Sequence, residues 1–368
     1  MAEPFDLTIV GASFAGLACA HSAAARGLNV RVIDRKPRPG HRIHTTGLLV
    51  KEVAEKLEVP LALTRKIHGV RLYAPNLRYV DLDAPGYYFL ATDTPALMAW
   101  LAERAQRAGA RVDFATSWRG AERQSDGLRL KHDASTTRML VGADGPASTV
   151  ARDFALGANT EFLVGVETEY ENVRGIDEDR LHCFLDSQLA GGYIGWVIPG
   201  AGVTQVGLAC SRPAKPRLDE FMKKISTLYD FSAAKAVARR GGLIPVGGRV
   251  APFSAGPVLL IGDAAGIVSP LTAGGIHTAL DSGWRAAHAI ADYLLDGGAH
   301  PGAALDRHYP HFRLKRLLRR VLELNPPNSL YNFLLSSAPF TAAARMVYFH
   351  RRGVSSGGKA KSGHGRET

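Results

Sequence analysis

The sequence predicts an α/β protein in which a parallel sheet flanked by helices is combined with an antiparallel sheet and a helical C-terminal end. Three observations support this fold class. Residues 6–34 read as strand, glycine turn, helix and strand. Glycine-rich turns also follow apolar strands near residues 142 and 262. Residues 161–210 alternate between polar and apolar side chains, which is typical of an antiparallel sheet.

Composition limits the class of protein. The chain has 368 residues, of which 46% are hydrophobic and 21% charged, so it can form two globular domains and is not disordered. Its three cysteines are scattered and lack metal-ligand spacing, which predicts a reducing compartment and no metal site. We find no basic leader before the first apolar run, and prolines interrupt the longest uncharged stretch, residues 325–344. We therefore expect a cytoplasmic protein.

Positive charge is concentrated near the C-terminus. The formal net charge is +11, and residues 307–352 contain nine Lys/Arg against the single acid Glu323. Leucines at helical spacing in 314–321 alternate with these cations, which is typical of a helix on an anionic membrane surface. Packing of the same leucines on the protein core is an equally good interpretation. Nucleic-acid binding is disfavoured because no nucleic-acid-binding fold accompanies the charge.

The first unit carries a dinucleotide fingerprint. The motif Gly11-Ala-Ser-Phe-Ala-Gly16 lies between the strand 6–10 and the helix 14–26, where Gly11 allows a tight turn and Gly16 allows close packing of helix on strand. Ser13 replaces the usual middle glycine. Amides at the helix start are expected to hold a pyrophosphate, and Asp34, at the end of the next strand, an adenosine ribose. Because an acid occupies that position, we do not expect NADP at this site.

The other elements are predicted from the periodicity of apolar residues and from the glycines and prolines that end helices and strands. In chain order they are antiparallel strands within 67–90, a helix over 95–108, strands over 111–115, 128–132 and 137–141, a helical stretch over 216–238, a strand over 258–261 and a helix over 275–295.

Two further motifs follow apolar strands. One is Gly142-Ala-Asp-Gly145, which continues to Arg152. The other begins at Gly262-Asp263, where the acid is placed to accept from a polyol hydroxyl beside a phosphate. The later turn Ala273-Gly-Gly275 directs a helix N-terminus at an electron-rich ring edge. That arrangement suits a flavin, whose reduced form gathers negative charge at one edge of its ring.

The three motifs in this order resemble those of FAD oxidoreductases of the p-hydroxybenzoate hydroxylase-like superfamily. Within it the chain most resembles the geranylgeranyl reductase family over roughly residues 5–295. The resemblance is carried by DGPASTVAR (144–152), YIGWVIP (193–199), GLIPVGG (242–248) and the stretch from GDAAG to RAA (262–287). It implies a Rossmann-like FAD-binding domain with an antiparallel-sheet substrate domain. Two features depart from the family: the loop 40–47 lacks a cysteine, and Thr92, Asp93 and Thr94 stand where an arginine often precedes the helix.

Site residues follow from the motifs and the resemblance together. The expected FAD contacts are Gly11, Ser13, Phe14, Ala15, Gly16, Asp34, Arg35, Arg42, Thr46, Asp144, Gly262, Asp263, Gly274, Gly275 and Ile276. His277, at the start of the helix expected to face the flavin, and the aromatic residues Tyr193 and Trp196 are candidates for a catalytic role. Each of these three also has an ordinary structural interpretation, as a helix residue or as part of a sheet core.

The sequence also predicts a division into domains. The expected segments are a discontinuous FAD-binding domain (1–66, 92–155 and 241–300), a substrate domain (67–91 and 156–240), a basic helical region (301–352) and a disordered tail (353–368).

The resemblance implies reduction of carbon–carbon double bonds in a prenyl or other hydrophobic substrate by hydride from reduced FAD. The electron donor is expected to be external, NAD(P)H or another reductant. The alternative is an FAD-dependent monooxygenase acting on an apolar or aromatic substrate. A halogenase is less well supported, because Ile194 replaces the first tryptophan of the halogenase motif WxWxIP. A third hypothesis is a binding protein that keeps the FAD seat without catalysis, associated with a membrane or a partner.

Overall fold

The computed structural model describes residues 3–349. The strands are β1 (Phe5–Val10), β2 (Val30–Ile33), β3 (Leu48–Val50), β4 (Thr64–Ile67), β5 (Gly69–Tyr73), β6 (Tyr79–Asp83), β7 (Phe89–Thr92), β8 (Arg111–Asp113), β9 (Ala121–Gln124), β10 (Gly127–Leu130), β11 (Thr136–Gly142), β12 (Phe162–Glu171), β13 (Arg180–Phe184), β14 (Gly195–Pro199), β15 (Thr204–Ser211), β16 (Lys235–Pro245), β17 (Ser254–Ala255) and β18 (Val258–Leu260). The helices are α1 (Phe14–Ala25), α2 (Lys51–Leu57), α3 (Thr94–Arg107), α4 (Thr149–Asp153), α5 (Leu218–Ile225), α6 (Ile276–Asp296), α7 (Pro301–Asp306), α8 (Arg313–Glu323), α9 (Asn328–Leu334) and α10 (Ala338–Phe349).

The first sheet brings the three motif strands side by side. Its order is β17, β18, β11, β1, β2 and β8, with the hairpin of β9 and β10 attached to β11. β1 runs parallel to both β2 and β11, and β11 runs parallel to β18. In register, Val10 lies beside Ile33 and Gly142, and Gly142 beside Leu260. The carboxyl ends of the motif strands therefore meet at one edge, which is where ligands bind in parallel sheets.

Helix packing beside this sheet depends on small residues. α1 is apolar around most of its circumference and lies against α6. A Cβ added to Gly283 would lie 2.4 Å from the carbonyl oxygen of Ala15, so only glycine allows the two helices to approach this closely. Together with the buried strands β1, β2 and β11, these helices form the largest apolar core of the described chain. The predicted βαβ unit is confirmed.

The second sheet is the large antiparallel one that the alternating pattern predicts. Its order is β16, β12, β15, β14, β13, β5 and β6, and every pair is antiparallel except β13 with β5. One face packs on α5. The other face contacts residues that belong to the third motif and, farther along, α10. A third, small sheet joins β3, β7 and β4.

The helix predicted over 216–238 is wrong beyond Ile225. α5 ends there, and residues from Lys235 onward form β16, which pairs with β12 along nearly all of that strand. The segment is rich in alanine and favours a helix locally, but the cross-strand pairing outweighs that preference. β16 also runs through residue 240, where a domain boundary was predicted, and β7 pairs outside the large sheet. The division into domains remains a prediction.

The basic C-terminal segment is helical up to Phe349, as predicted, in the form of α7, α8, α9 and α10. The predicted disordered tail, 353–368, lies outside the described residues. Over the part of the chain that the structure describes, we find no helix with the length and apolar character needed to span a bilayer.

Candidate active site

The first glycine turn is closed by backbone contacts. Gly11 has a φ of +110°, and a Cβ at this position would lie 2.3 Å from the carbonyl oxygen of Ala143. A Cβ on Gly16 would lie 1.9 Å from the carbonyl oxygen of Gly11. Ser13 is the N-cap residue of α1, and its exposed hydroxyl makes no capping bond. The turn therefore presents the first amides of α1, among them those of Phe14 and Ala15, to whatever lies beyond the helix start.

Asp34 stabilises this turn by hydrogen bonds. Its carboxylate accepts from the backbone N–H of Ala12 at 2.7 Å and from that of Lys36 at 2.8 Å. The end of β2 is thereby tied to the glycine turn. The neighbouring Arg35 is exposed, and burial lowers the pKa of the Lys36 ammonium. The arrangement leaves lone pairs on both carboxylate oxygens for a further donor.

Asp144, in the second motif, caps a helix. Its carboxylate accepts from the hydroxyl and backbone N–H of Thr149, the hydroxyl of Ser148 and the backbone N–H of Val150. These bonds hold the start of α4 against the end of β11. The predicted cofactor contact of Asp144 remains a prediction, and the geometry gives this carboxylate an organising role in the turn.

The third motif places a strained glycine and a half-buried acid together. Gly262 has a φ of +57°, and its Cβ would lie 2.8 Å from that of Ala15, so the third motif packs directly on α1. Asp263 Oδ1 lies 3.5 Å from where a Cβ of Gly275 would stand. Within residues 3–349 its carboxylate has no hydrogen-bond or ion-pair partner, and burial raises its pKa to about 6. Such an unpaired acid suits a hydroxyl-bearing ligand.

Sequence reasoning missed Asn159, which connects the second and third motifs. Its side-chain amide donates to the carbonyl oxygen of Pro146 at 3.0 Å and to that of Asp263 at 2.9 Å. Its own carbonyl oxygen is buried without a hydrogen-bond partner. A single asparagine in a loop gave no pattern from which this role could be predicted.

The turn before α6 is held in a fixed shape. The backbone N–H of Ala273 donates to Ser269 at 2.9 Å, and that of Ser269 donates to Gly274 at 3.2 Å. α6 begins at Ile276, immediately after its N-cap residue Gly275. Its first amides therefore point towards the same edge as the turn. His277 is half-buried in this first turn, 3.8 Å from where a Cβ of Gly274 would stand.

The loop 41–47 lies on the antiparallel sheet. The imidazole Nδ1 of His44 is 2.8 Å from the carbonyl oxygen of Gly241, and Gln205 donates to the carbonyl oxygen of Thr46 at 2.9 Å. The Thr46 hydroxyl donates to Glu167 at 2.8 Å. Arg42 is exposed and points to no partner among the described residues. The predicted FAD contacts of Arg42 and Thr46 remain predictions.

Tyr193 and Trp196 lie beside the turn before α6. Both pack, with Ala273, against a small cluster of Leu163, Ala209 and Val246. The Tyr193 hydroxyl donates to the carbonyl oxygen of Thr272 at 2.5 Å, and burial raises its pKa above the ordinary value. The structure therefore brings the aromatic residues of YIGWVIP next to the third motif. Their catalytic role remains a prediction.

A buried charged cluster on the same sheet face was not predicted. Glu167 binds Arg240 at 2.7 Å, and Arg240 also binds Glu169. The segment VGVETEY belongs to the stretch 161–210, whose alternation predicts an antiparallel sheet. The alternation was correct, but the polar face is covered by the loop 41–47.

An apolar region adjoins Trp196 on this face. It consists of Ile67, Val70, Leu72, Leu181, Cys183 and Ile198, and it packs with Leu335, which follows α9, and with residues of α10. Tyr348 of α10 contacts Cys183, whose thiol pKa burial raises to about 11. This part of the sheet face is therefore apolar and covered by α10, whereas the part on β12 and β16 carries the charged cluster. Apolar walls with few polar groups are typical of small-molecule sites.

The nucleotide edge fits a dinucleotide cofactor on structural grounds. Side chains at Gly11 and Gly16 would collide with backbone atoms, the start of α1 offers amides, and Asp263 is an acid without a partner in the described chain. This donor and acceptor set matches a pyrophosphate and a polyol.

Comparison with known proteins also indicates an FAD-binding protein. A family model described as "FAD binding domain" matches residues 5–315. Digeranylgeranylglycerophospholipid reductase 2 of Methanosphaera stadtmanae is 30% identical over 314 residues, which cover 79% of this chain and 79% of that protein. The corresponding reductase of Methanosarcina acetivorans is 29% identical over 322 residues, covering 81% of this chain and 77% of that protein.

Solved structures extend the likeness to the fold. A geranylgeranyl bacteriochlorophyll reductase-like protein from Thermoplasma acidophilum has a TM-score of 0.82 at 21% identity, covering 95% of this chain and 97% of that chain. The predicted fold class is thereby confirmed. Monooxygenases and halogenases also appear among the similar folds, with lower TM-scores.

Proposed function

Because the chain belongs to the geranylgeranyl reductase family of FAD-dependent oxidoreductases, we propose that it reduces carbon–carbon double bonds in the prenyl chain of a lipid substrate. One observation carries the proposal beyond the family resemblance. The turn before α6 is hydrogen-bonded to Tyr193 and packs on the same small cluster as Trp196, and the adjoining part of the sheet face is apolar. A prenyl chain on that face would lie next to the cofactor edge.

The residues that would hold FAD follow from the three motifs. We assign the pyrophosphate to the Gly11–Gly16 turn and the amides of α1, the adenosine end to Asp34 and Arg35, and a hydroxyl of the polyol chain to Asp263. Gly274, Gly275 and Ile276 would lie at the ring edge, with Thr46 across from them. FAD, when bound and reduced, supplies a hydride to the alkene.

The protein shapes the substrate site, excludes water from it and supplies the groups that hold or transfer a proton. Reduction of an alkene needs a hydride at one carbon and a proton at the other, and water near the reduced cofactor would allow side reactions. Tyr193 stays protonated because its burial raises the pKa. Its hydroxyl is engaged with Thr272, so we assign it to shaping the turn. His277 is the group on α6 that we propose to test as a proton carrier.

The direct test is anaerobic turnover. Purified protein loaded with FAD is reduced chemically and mixed with a geranylgeranylated glycerophospholipid, and the lipid is analysed by mass spectrometry. We expect a gain of two hydrogens for each double bond reduced. A product that appears only in air and carries oxygen from O2 would instead establish the monooxygenase alternative, whose relatives share the fold.

We also propose that electrons come from an external donor. NAD(P)H and a reduced protein carrier can be distinguished by following the bleaching of FAD absorbance in stopped flow. Bleaching by NADPH or NADH alone at a rate that matches turnover supports a nicotinamide donor. Bleaching that requires a reduced protein carrier supports that carrier as the electron donor.

The exposed face of α8 supports a peripheral position on an anionic lipid surface. Leu314 is 68% exposed, and Leu317, Leu318 and Val321 are exposed as well. Leu324, which follows the helix, is 80% exposed. The opposite face is held by Arg319, which is only 2% exposed and donates to the carbonyl oxygen of Gly192 at 2.7 Å. Of the two interpretations of the leucine pattern, these exposures favour the interfacial one.

Vesicle flotation tests this position. We expect the protein to float with vesicles containing an anionic phospholipid at low salt, and less with neutral vesicles or at high salt. The variant L317S/L318S, which alters only exposed side chains, should lose flotation while keeping its melting temperature. Equal flotation of wild type and variant would refute the role of α8.

A further inference from the structure

Four side-chain positions lie on one line across the antiparallel sheet. In register, Trp196 on β14 lies beside Gly207 on β15, Gly207 beside Glu167 on β12, and Glu167 beside Arg240 on β16. The indole of Trp196 reaches across the glycine and donates its N–H to Glu167 at 2.6 Å. A Cβ on Gly207 would lie 2.6 Å from the indole, so only glycine leaves room for this path.

The carboxylate of Glu167 accepts three hydrogen bonds. Oε1 accepts from Arg240 at 2.7 Å, and Oε2 accepts from the Trp196 indole and from the Thr46 hydroxyl at 2.8 Å. The residue is 4% exposed. Burying an acid costs free energy that an apolar side chain at this strand position would avoid, and the ion pair only partly compensates for that cost. Stability alone therefore does not explain a glutamate here.

The two groups held by Oε2 belong to opposite sides of the proposed site. Trp196 is part of the sheet wall and packs, like Ala273 of the turn before α6, on the cluster of Leu163, Ala209 and Val246. Thr46 is on the loop 41–47, which crosses from the nucleotide-binding part of the chain and rests on this sheet. One carboxylate oxygen thus sets the distance between the wall and the loop.

We infer that Glu167 is a positioning residue that holds the Trp196 indole and the Thr46 loop in one fixed arrangement around the reacting alkene. The inference rests on the proposed function. Arg240 pairs with the carboxylate that accepts the three hydrogen bonds, and Gly207 leaves room for the indole. Misplacement of either group would slow the chemical step more than it would weaken binding, because orientation of bound substrate limits that step.

The experiment uses FAD-loaded wild type, E167Q, W196F and the double variant, with E169Q as matched control. The amide in E167Q has one acceptor oxygen and cannot serve both Arg240 and Trp196. W196F keeps an aromatic ring, although a smaller one, and removes the N–H. E169Q removes a carboxylate that binds the same arginine but touches neither Trp196 nor the Thr46 hydroxyl. The readouts are kcat and KM for alkene reduction, the visible circular dichroism of the bound flavin and the melting temperature.

We expect E167Q and W196F each to lower kcat about tenfold with KM changed less than about twofold, and to alter the flavin circular dichroism. The fold-loss of kcat in the double variant should be smaller than the product of the fold-losses in the two single variants, because each single substitution removes the same hydrogen bond. E169Q should lose thermal stability but retain kcat within about twofold.

Three results would overturn the inference: unchanged kcat in E167Q, equal kcat losses in E167Q and E169Q, or losses that multiply in the double variant. If E167Q does not fold, W196F decides, and a wild-type rate and spectrum in W196F would also overturn it. If the wild type reduces no prenyl lipid, the proposed function fails separately. The flavin circular dichroism of E167Q against E169Q then still decides whether Glu167 positions the site.

Discussion

The hydroxyl of Tyr193 donates a hydrogen bond to the carbonyl oxygen of Thr272 across 2.5 Å. This bond joins the residue that precedes β14 of the substrate sheet to the turn that precedes α6. Two segments that are 79 positions apart in the chain are thereby held in contact at the proposed site.

Tyr193→Phe should test the importance of this bond. Loss of the hydroxyl leaves the Thr272 carbonyl without its donor, and we expect a loss of about 1 kcal/mol in unfolding free energy and a several-fold fall in kcat. FAD content should stay constant. Urea denaturation and steady-state kinetics measure the two effects. Tyr79→Phe is the control, because Tyr79 is exposed on the far edge of the sheet. Equal losses in both variants would refute the prediction.

Gly11→Ala should abolish FAD binding. Its methyl group would stand 2.3 Å from the carbonyl oxygen of Ala143, so the turn must open. Gly27→Ala is the matched control, since its φ of +89° is also left-handed but nothing lies within 4 Å of its Cβ. We expect the control to lose about 1 kcal/mol of stability and keep its flavin. Flavin absorbance per mole of purified protein measures the difference, and retained flavin in Gly11→Ala would contradict the prediction.

Asp263→Asn should change how the stability of the apoprotein depends on pH. Burial raises the pKa of Asp263 from 3.8 to about 6, so the folded state favours the protonated acid. The folded state then binds more protons than the unfolded state between these values, and the stability that this residue contributes falls as the pH rises through them. An amide stays neutral. We therefore expect the variant to melt higher than wild type at pH 7, with a smaller difference near pH 4. Parallel melting curves at both values would refute this.

Arg319→Ala should affect stability, whereas Arg320→Ala should affect binding to anionic membranes. Arg319 is buried and bonded to Gly192, Ser211 and Glu323, so its loss should reduce unfolding free energy by about 2–4 kcal/mol. Arg320 is exposed, and its loss should leave stability unchanged but weaken binding to anionic vesicles about fivefold. Urea denaturation and vesicle co-sedimentation measure the pair. If Arg320→Ala binds vesicles as wild type does, the proposed orientation of α8 is wrong.

Some structural features were predictable because their causes are local. The βαβ unit, the glycine turns and α6 each consist of a strand, a turn and a helix whose residue requirements lie within a few positions. The strand β16 was not predictable, because its first residues favour a helix and adopt a strand only beside β12. The burial of Arg319 is similar. Its helix pattern placed leucines and cations on opposite faces without indicating which face meets the body.

The sequence by itself determined the class of fold, the cofactor and the kind of chemistry, since three nucleotide motifs in a fixed order require a parallel sheet edge with glycine turns. Only the tertiary structure decided how the substrate side is built. Glu167 meets Trp196 from 29 positions away and Arg240 from 73, and Asn159 reaches Asp263 from 104. These contacts depend on strand register and loop packing. An alternating strand has the same sequence pattern whether its polar face is exposed to water or covered by another part of the chain, so the pattern does not show which groups a carboxylate contacts.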